Sequence, residues 1–182
     1  MPGSALCLLR GWHVPVQARI LFEMKGKEAI ERLQELTSSC TQELFKGFGC
    51  QLRPAESEAS SEMGPCTRAA VSGSHVNGTI LIAASPALLK ATAAGDEVTP
   101  ELELDWLCEI SNLMLARIRT LAMQQGIEID FATPVLGPKK PLGGTPRSEC
   151  ERLVAFDRLR DRLAVWLQLR PVRSHENAKV AK

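Results

Sequence analysis

Residues 99–126 read TPELELDWLCEISNLMLARIRTLAMQQG, and the rest of the chain is most easily understood outward from them. Thr99-Pro100 is a helix start: Thr caps, and Pro at the first helical position gives up no needed N–H. Gly126 is a stop. Placed at 100° per residue, Leu107, Ile110, Met114, Ile118 and Leu121 fall on one stripe, widened by Leu104, Cys108 and Leu115. Directly opposite stand Asp105, Glu109, Asn112 and Ala116, one turn apart in a single row. Trp106, Leu113 and Arg117 flank the row on one side and Arg119 on the other. By periodicity alone the row is an ordinary solvated face of an amphipathic helix. Two features speak for more. Asn is a poor residue for a helix interior, and Ala116 leaves room for another surface to approach.

Before this helix, residues 67–72 and 79–85 read as a strand pair around Asn77-Gly78, a step that suits a tight hairpin turn. Ser85-Pro86 starts a short helix reaching about residue 94. Upstream, residues 17–24 alternate like a strand. A helix over 27–45 follows, with Ile30, Leu33, Thr37, Cys40 and Leu44 at helical spacing and Lys46-Gly47 as its stop. Residues 48–53 read as a short strand. After the long helix, residues 127–135, 152–156 and 163–169 read as strands, the last with Leu163, Val165, Leu167 and Leu169 on one face. Helices interspersed with adjacent strand pairs predict an α+β fold of two layers, a largely antiparallel sheet with helices packed on one face. The expected organisation is an N-terminal extension over 1–14, one domain over 15–171 with flexible loops at 54–65 and 137–149, and a disordered tail at 172–182. Pro, Gly, Ser and charge at the density of those segments do not build a packed face.

Composition narrows the function. The 182 residues carry 22 Lys and Arg against 21 Asp and Glu, a formal charge of +1, which excludes a nucleic-acid binder held by bulk positive charge. Aromatics at 4%, with no Tyr, weigh against base-stacking platforms. The charge is uneven: residues 139–182 hold 11 Lys and Arg and 5 Asp and Glu, so the acidic surplus lies in the first 138 residues. No run approaches the ~20 apolar residues of a bilayer span. The N-terminus lacks the basic segment and long apolar run of a signal peptide. Six cysteines at 7, 40, 50, 66, 108 and 150 form no CxxC pair, so neither a metal site nor a disulfide framework is expected, and reduced thiols point to a cytoplasmic protein. Cys40 and Cys108 read as small core residues. No GxxxxGK[ST] or GxGxxG phosphate loop occurs, and Gly143-Gly144 reads as a flexible hinge. His13, His75 and His175 fall in the extension, a hairpin turn and the tail, and compose no nucleophilic triad.

The segment Asp105-Trp106-Leu107-Cys108-Glu109-Ile110-Ser111-Asn112-Leu113-Met114-Leu115-Ala116 resembles the signature helix of the CheX/CheC/FliY family of chemotaxis phosphatases, whose motif is Glu, two residues, then Asn. The surroundings match in order: Gly78-Thr79-Ile80-Leu81-Ile82 and a Ser-initiated short helix before the motif helix, then Gly126 and a strand with Thr133-Pro134 after it. The similarity spans about residues 17–171. The family usually has Gly at the position of Ala116, and Arg117 and Arg119 add bulk and charge beside the row. The first helix carries no Glu-x-x-Asn, so the resemblance is to the one-motif, CheX-like branch.

What the resemblance implies is a phosphatase acting on the aspartyl phosphate of a response-regulator receiver domain, CheY-like, in chemotaxis or a related two-component circuit. Asn112 would orient the attacking water and Glu109 would pair with the regulator's lysine. Asp105 and Ala116 would belong to the partner-binding surface. The chain would hold no cofactor or metal of its own, and Mg²⁺ would sit on the regulator. The alternatives are a CheX-like docking module without hydrolysis, and an unrelated α+β interaction domain with an accidental motif. Some family members dimerise by pairing sheet edges, which makes 163–169 a candidate edge for a homodimer. Neither nucleic acid nor membrane is an expected partner.

Overall fold

The computed structural model describes residues 26–55, 62–93, 99–159 and 161–172. The expected strand at 17–24, the extension at 1–14 and nearly all of the tail lie outside these residues.

Among the described residues three helices form where local signals ask for them. Helix α1 (Gly26–Gly47) buries Ile30, Leu33, Leu36, Cys40 and Leu44 along one stripe. Helix α2 (Pro86–Thr92) is capped by Ser85, whose hydroxyl accepts from the Leu88 N–H. Helix α3 (Pro100–Gln124) is capped by Thr99, whose hydroxyl accepts from the Leu102 N–H. Gly126, with φ of 77°, ends it in the left-handed region. The end of α1 differs from expectation. The left-handed residue is Gly49, with φ of 74°. Its N–H donates to Lys46 and that of Cys50 donates to Phe45, the pair of bonds that closes a Schellman turn. Gly47 is still helical.

Among the described residues seven strands make one antiparallel sheet: β1 (Arg53–Pro54), β2 (Met63–Gly73), β3 (Val76–Ala84), β4 (Ile129–Phe131), β5 (Val135–Pro141), β6 (Glu151–Arg158) and β7 (Asp161–Pro171). Their order is β1-β6-β7-β3-β2, with β2 then pairing both β4 and β5. Leu163, Val165, Leu167 and Leu169 are fully buried and share one core with α1 and α3. The α+β, two-layer reading therefore holds.

Several elements depart from expectation. The 163–169 strand is no edge: β7 runs between β3 and β6 along nearly its whole length, so its backbone groups are spent and it offers nothing to a second copy. The β2–β3 turn is made by Ser74-His75, while Asn77 and Gly78 lie inside β3. Asn77 accepts from the Gly73 N–H through its side chain, and a Cβ on Gly78 would strike the Gln168 carbonyl of β7. Gly78 is needed for close approach between strands rather than for a turn. The expected loop at 137–149 starts as strand. Residues 137–141 belong to β5, paired with β2 across a register shift between Gly64 and Cys66. Proline is tolerated there because β5 is an edge. The expected loop at 54–65 is narrower for the same reason, since Met63–Gly73 is the partner strand and Pro54 pairs with Phe156. The expected strand at 48–53 shrinks to Arg53–Pro54, and that at 127–135 is broken at 132–134 between β4 and β5.

The helix-free face carries a second, smaller cluster of Cys66, Leu81, Ala83, Leu142, Ala164 and Trp166. Trp166 donates from its indole nitrogen to the Pro141 carbonyl at 3.2 Å. The chain after β5 thus packs on the sheet opposite the helices.

Candidate functional site

Helix α3 is fixed in rotation by what it buries. Leu107, Ile110, Met114 and Ile118 are 1% exposed or less. Ser111 lies between them, fully buried, with its hydroxyl donating to the Leu107 carbonyl at 2.7 Å. The same oxygen lies 2.7 Å from the Thr67 hydroxyl of β2. On the α1 side the Thr41 hydroxyl lies 3.1 Å from the Met114 sulfur. Toward the N-terminus Trp106 donates to the Thr92 hydroxyl at 2.9 Å and packs on the Phe48 ring. Lys90 of α2 pairs with Glu103 at 3.3 Å. Polar ties on three sides therefore set which residues face outward.

Those residues are the ones the periodicity singles out. Asp105, Glu109, Asn112 and Ala116 are all exposed, and no hydrogen bond or ion pair ties the Asp105, Glu109 or Asn112 side chain to any described residue. Successive members of the row are three or four residues apart, roughly 4.5–6 Å along the axis. Cys108 is half-buried beside the row rather than in the core. Burial, then the Asp105 charge, push its thiol above the ordinary value, so it stands there as a neutral thiol.

The row has relief on both sides. Asn112, Ala116 and Arg119 border a shallow depression of about 180 Å³ whose far wall is 130–134. Ala116, Leu113 and Arg117 border a groove of about 460 Å³ against Cys40, Glu43 and Leu44 of α1. Ala116 is the low ridge between the two. Arg119 leans to Asp130 of the sheet at 3.5 Å, which draws its bulk away from the row. Arg117 has no ion-pair partner among the described residues. Leu113, 39% exposed, adds an apolar contact point next to Asn112.

Sequence reading places the row but misses what aims it. Thr67 and Ser111 are small polar residues in otherwise apolar patterns, which is the trace a buried hydroxyl pair leaves in a sequence. The Arg119–Asp130 pair leaves no such trace, since it depends on how β4 packs beside α3. No group of three or more His, Cys, Asp or Glu side chains comes together to hold a metal among the described residues, and no helix among them is long and apolar enough to cross a membrane.

No protein-family model matches the sequence, and no curated protein sequence matches it. Solved structures do match. The chemotaxis protein CheX from Vibrio vulnificus aligns with 75% of this chain and 95% of its own, at 16% identity and a TM-score of 0.61. A CheC-like superfamily protein from Shewanella sp. PV-4 aligns over 76% and 97% respectively, at 15% identity and a TM-score of 0.62. The CheX–CheY–BeF3–Mg²⁺ complex from Borrelia burgdorferi aligns over 75% and 96%, at 14% identity and a TM-score of 0.56. The largely antiparallel sheet with helices on one face matches the fold of these chemotaxis proteins, and the chain is built on the CheX/CheC fold.

Proposed function

We propose that this chain is a CheX-like member of the CheX/CheC/FliY family and a phosphatase of phosphorylated response regulators. The observation that carries the reading is the exposed row on α3. Glu109 and Asn112 are exposed, without a hydrogen bond or ion pair to any described residue, one turn apart on a helix locked in rotation by the Ser111–Thr67 pair. A solved structure of this fold holds CheX together with CheY, BeF3 and Mg²⁺, which supports a CheY-like receiver as the partner and a cytoplasmic location.

The chemistry asks little of the phosphatase. Phosphoryl transfer needs an in-line nucleophile and compensation of charge rather than covalent help. The receiver would bring the aspartyl phosphate, the Mg²⁺ and a lysine. The Asn112 carboxamide oxygen accepts one hydrogen of a water and fixes its line of attack. It stays neutral throughout, so it needs no tuned pKa. Glu109 offers a carboxylate to the receiver's lysine and sets the docking register. Asp105 extends the acidic end of the row, and Ala116 lets the partner approach the helix backbone. Binding without hydrolysis is a second reading, favoured by Arg117, a cation with no ion-pair partner among the described residues, beside the row where the approaching receiver would have to fit.

The deciding experiment follows the decay of a phosphorylated receiver domain with wild type and with Asn112→Ala. Wild type should accelerate decay, and the variant should lose roughly 10²-fold of that acceleration, the scale of a lost positioning group. Equal rates from wild type and variant would remove Asn112 from the mechanism. Complex formation without acceleration would select the docking module.

A further inference from the structure

The helix-free face holds a cavity of about 610 Å³, and nothing in the phosphatase reading uses it. Its floor is strand. Thr79 pairs with Gln168, and Gln168 with Glu151, across β3, β7 and β6, so these positions lie side by side beneath the opening. Its wall is the end of β5 and the chain that follows it, from Lys140 to Cys150. That wall is held down by Glu151, whose carboxylate accepts from the Arg147 backbone N–H at 2.7 Å and from the Gln168 side chain at 3.1 Å. Glu151 is 9% exposed, so its charge is spent inward on the fold.

The charge that faces the cavity is positive. Lys140, Arg147 and Arg170 line it against the single carboxylate of Glu151. None of the three cations has an ion-pair partner among the described residues. Arg147 comes from the wall and Arg170 from the end of β7, so they reach the space from different elements. Between them Thr79, Ser148 and Gln168 supply neutral hydrogen-bonding groups. A surplus of two positive charges with fork-shaped guanidinium donors suits a phosphate dianion. The volume falls in the range of small-molecule sites and far exceeds a bare phosphate.

We propose that this cavity, framed by Arg147, Arg170 and Lys140 on the sheet face opposite α3, binds a small organic phosphate monoester of about nucleotide size. The guanidiniums take the phosphoryl oxygens, and Thr79, Ser148 and Gln168 take hydroxyls of the organic part. The site is separated from Asn112 by the sheet, and the inference rests on none of the phosphatase reading.

The test is a calorimetric titration of the full chain at low ionic strength with 5′-AMP, inorganic phosphate and uncharged adenosine as probes. AMP should saturate one site, at least tenfold more tightly than adenosine, and binding should weaken as salt is raised. Arg147→Ala/Arg170→Ala should weaken AMP by tenfold or more with an unchanged melting temperature, since both side chains are exposed. Asn112→Ala should bind AMP as wild type does. Absence of saturable AMP binding at millimolar concentration, equal affinity for adenosine, or undiminished binding by the double variant would overturn the proposal. Phosphate binding as tightly as AMP would overturn the organic part of it.

Discussion

The Ser111 hydroxyl carries one proton, and the Leu107 carbonyl, 2.7 Å away within the same helix, is placed to take it. The 2.7 Å contact with Thr67 then has Thr67 as donor and Ser111 as acceptor. Both residues are buried, at 0% and 1% exposure, so Ser111→Ala would strand the Thr67 hydroxyl in an apolar core. That should cost about 1–3 kcal/mol, read as a lower urea midpoint. Adding Thr67→Val removes the stranded group, and the double variant should be less destabilised than the two single changes summed. Strict additivity would mean the hydroxyls do not act as a pair. The bond matters beyond stability because Ser111 adjoins Asn112. The residue that ties α3 to β2 also fixes the direction in which the carboxamide points.

At the scale of elements, the end of α1 offers a test in which two nearby glycines should answer with opposite signs. A Cβ would meet nothing within 4 Å at Gly47 or at Gly49, so packing is removed from the comparison. Gly49 has φ of 74°, and Gly49→Ala should destabilise by about 1–2 kcal/mol through backbone strain alone. Gly47 is helical, and Gly47→Ala should stabilise by about 0.5–1 kcal/mol. Denaturant midpoints of the two variants check it, and a loss at residue 47 with none at 49 would put the stop where the Lys46-Gly47 pattern suggests. The same contrast shows what sequence reveals about elements. Starts such as Ser85-Pro86 and Thr99-Pro100 are legible because cap and proline act on their own backbone. Stops and turns are less so. Gly47 and Gly49 compete for the end of α1 two residues apart, and Asn77-Gly78 imitates a turn while Gly78 lies close against the neighbouring Gln168 carbonyl. A glycine's sequence context does not say whether torsion or proximity requires it.

At the scale of the molecule, the row on α3 was legible because helical periodicity carries its own geometry. The place of β7 in mid-sheet and the pairing of β5 with β2 were not. Strand order is set by partners far along the chain, and a proline- and glycine-rich edge strand has the composition of a loop. The least legible feature was the packing after β5, where Glu151 holds a segment against the helix-free face. Burial pushes the Glu151 carboxyl up. Hydrogen bonds from the Arg147 backbone and the Gln168 side chain, with the Lys140 and Arg147 charges, more than offset this and hold it below its ordinary value of 4.5. A depressed carboxyl stabilises the fold only while ionised. Its contribution is complete above about pH 4.5, the unfolded value, and is lost as pH falls through the lower folded value. Glu151→Gln lacks that ionised acceptor at every pH. Wild type should therefore melt above the variant at pH 6–7, and the gap should narrow as pH is lowered below about 4.5 and through the folded value. Thermal melts of the two proteins across that range measure it. A gap that stays constant would mean that Glu151 acts by shape and not by charge, and that the wall is anchored elsewhere.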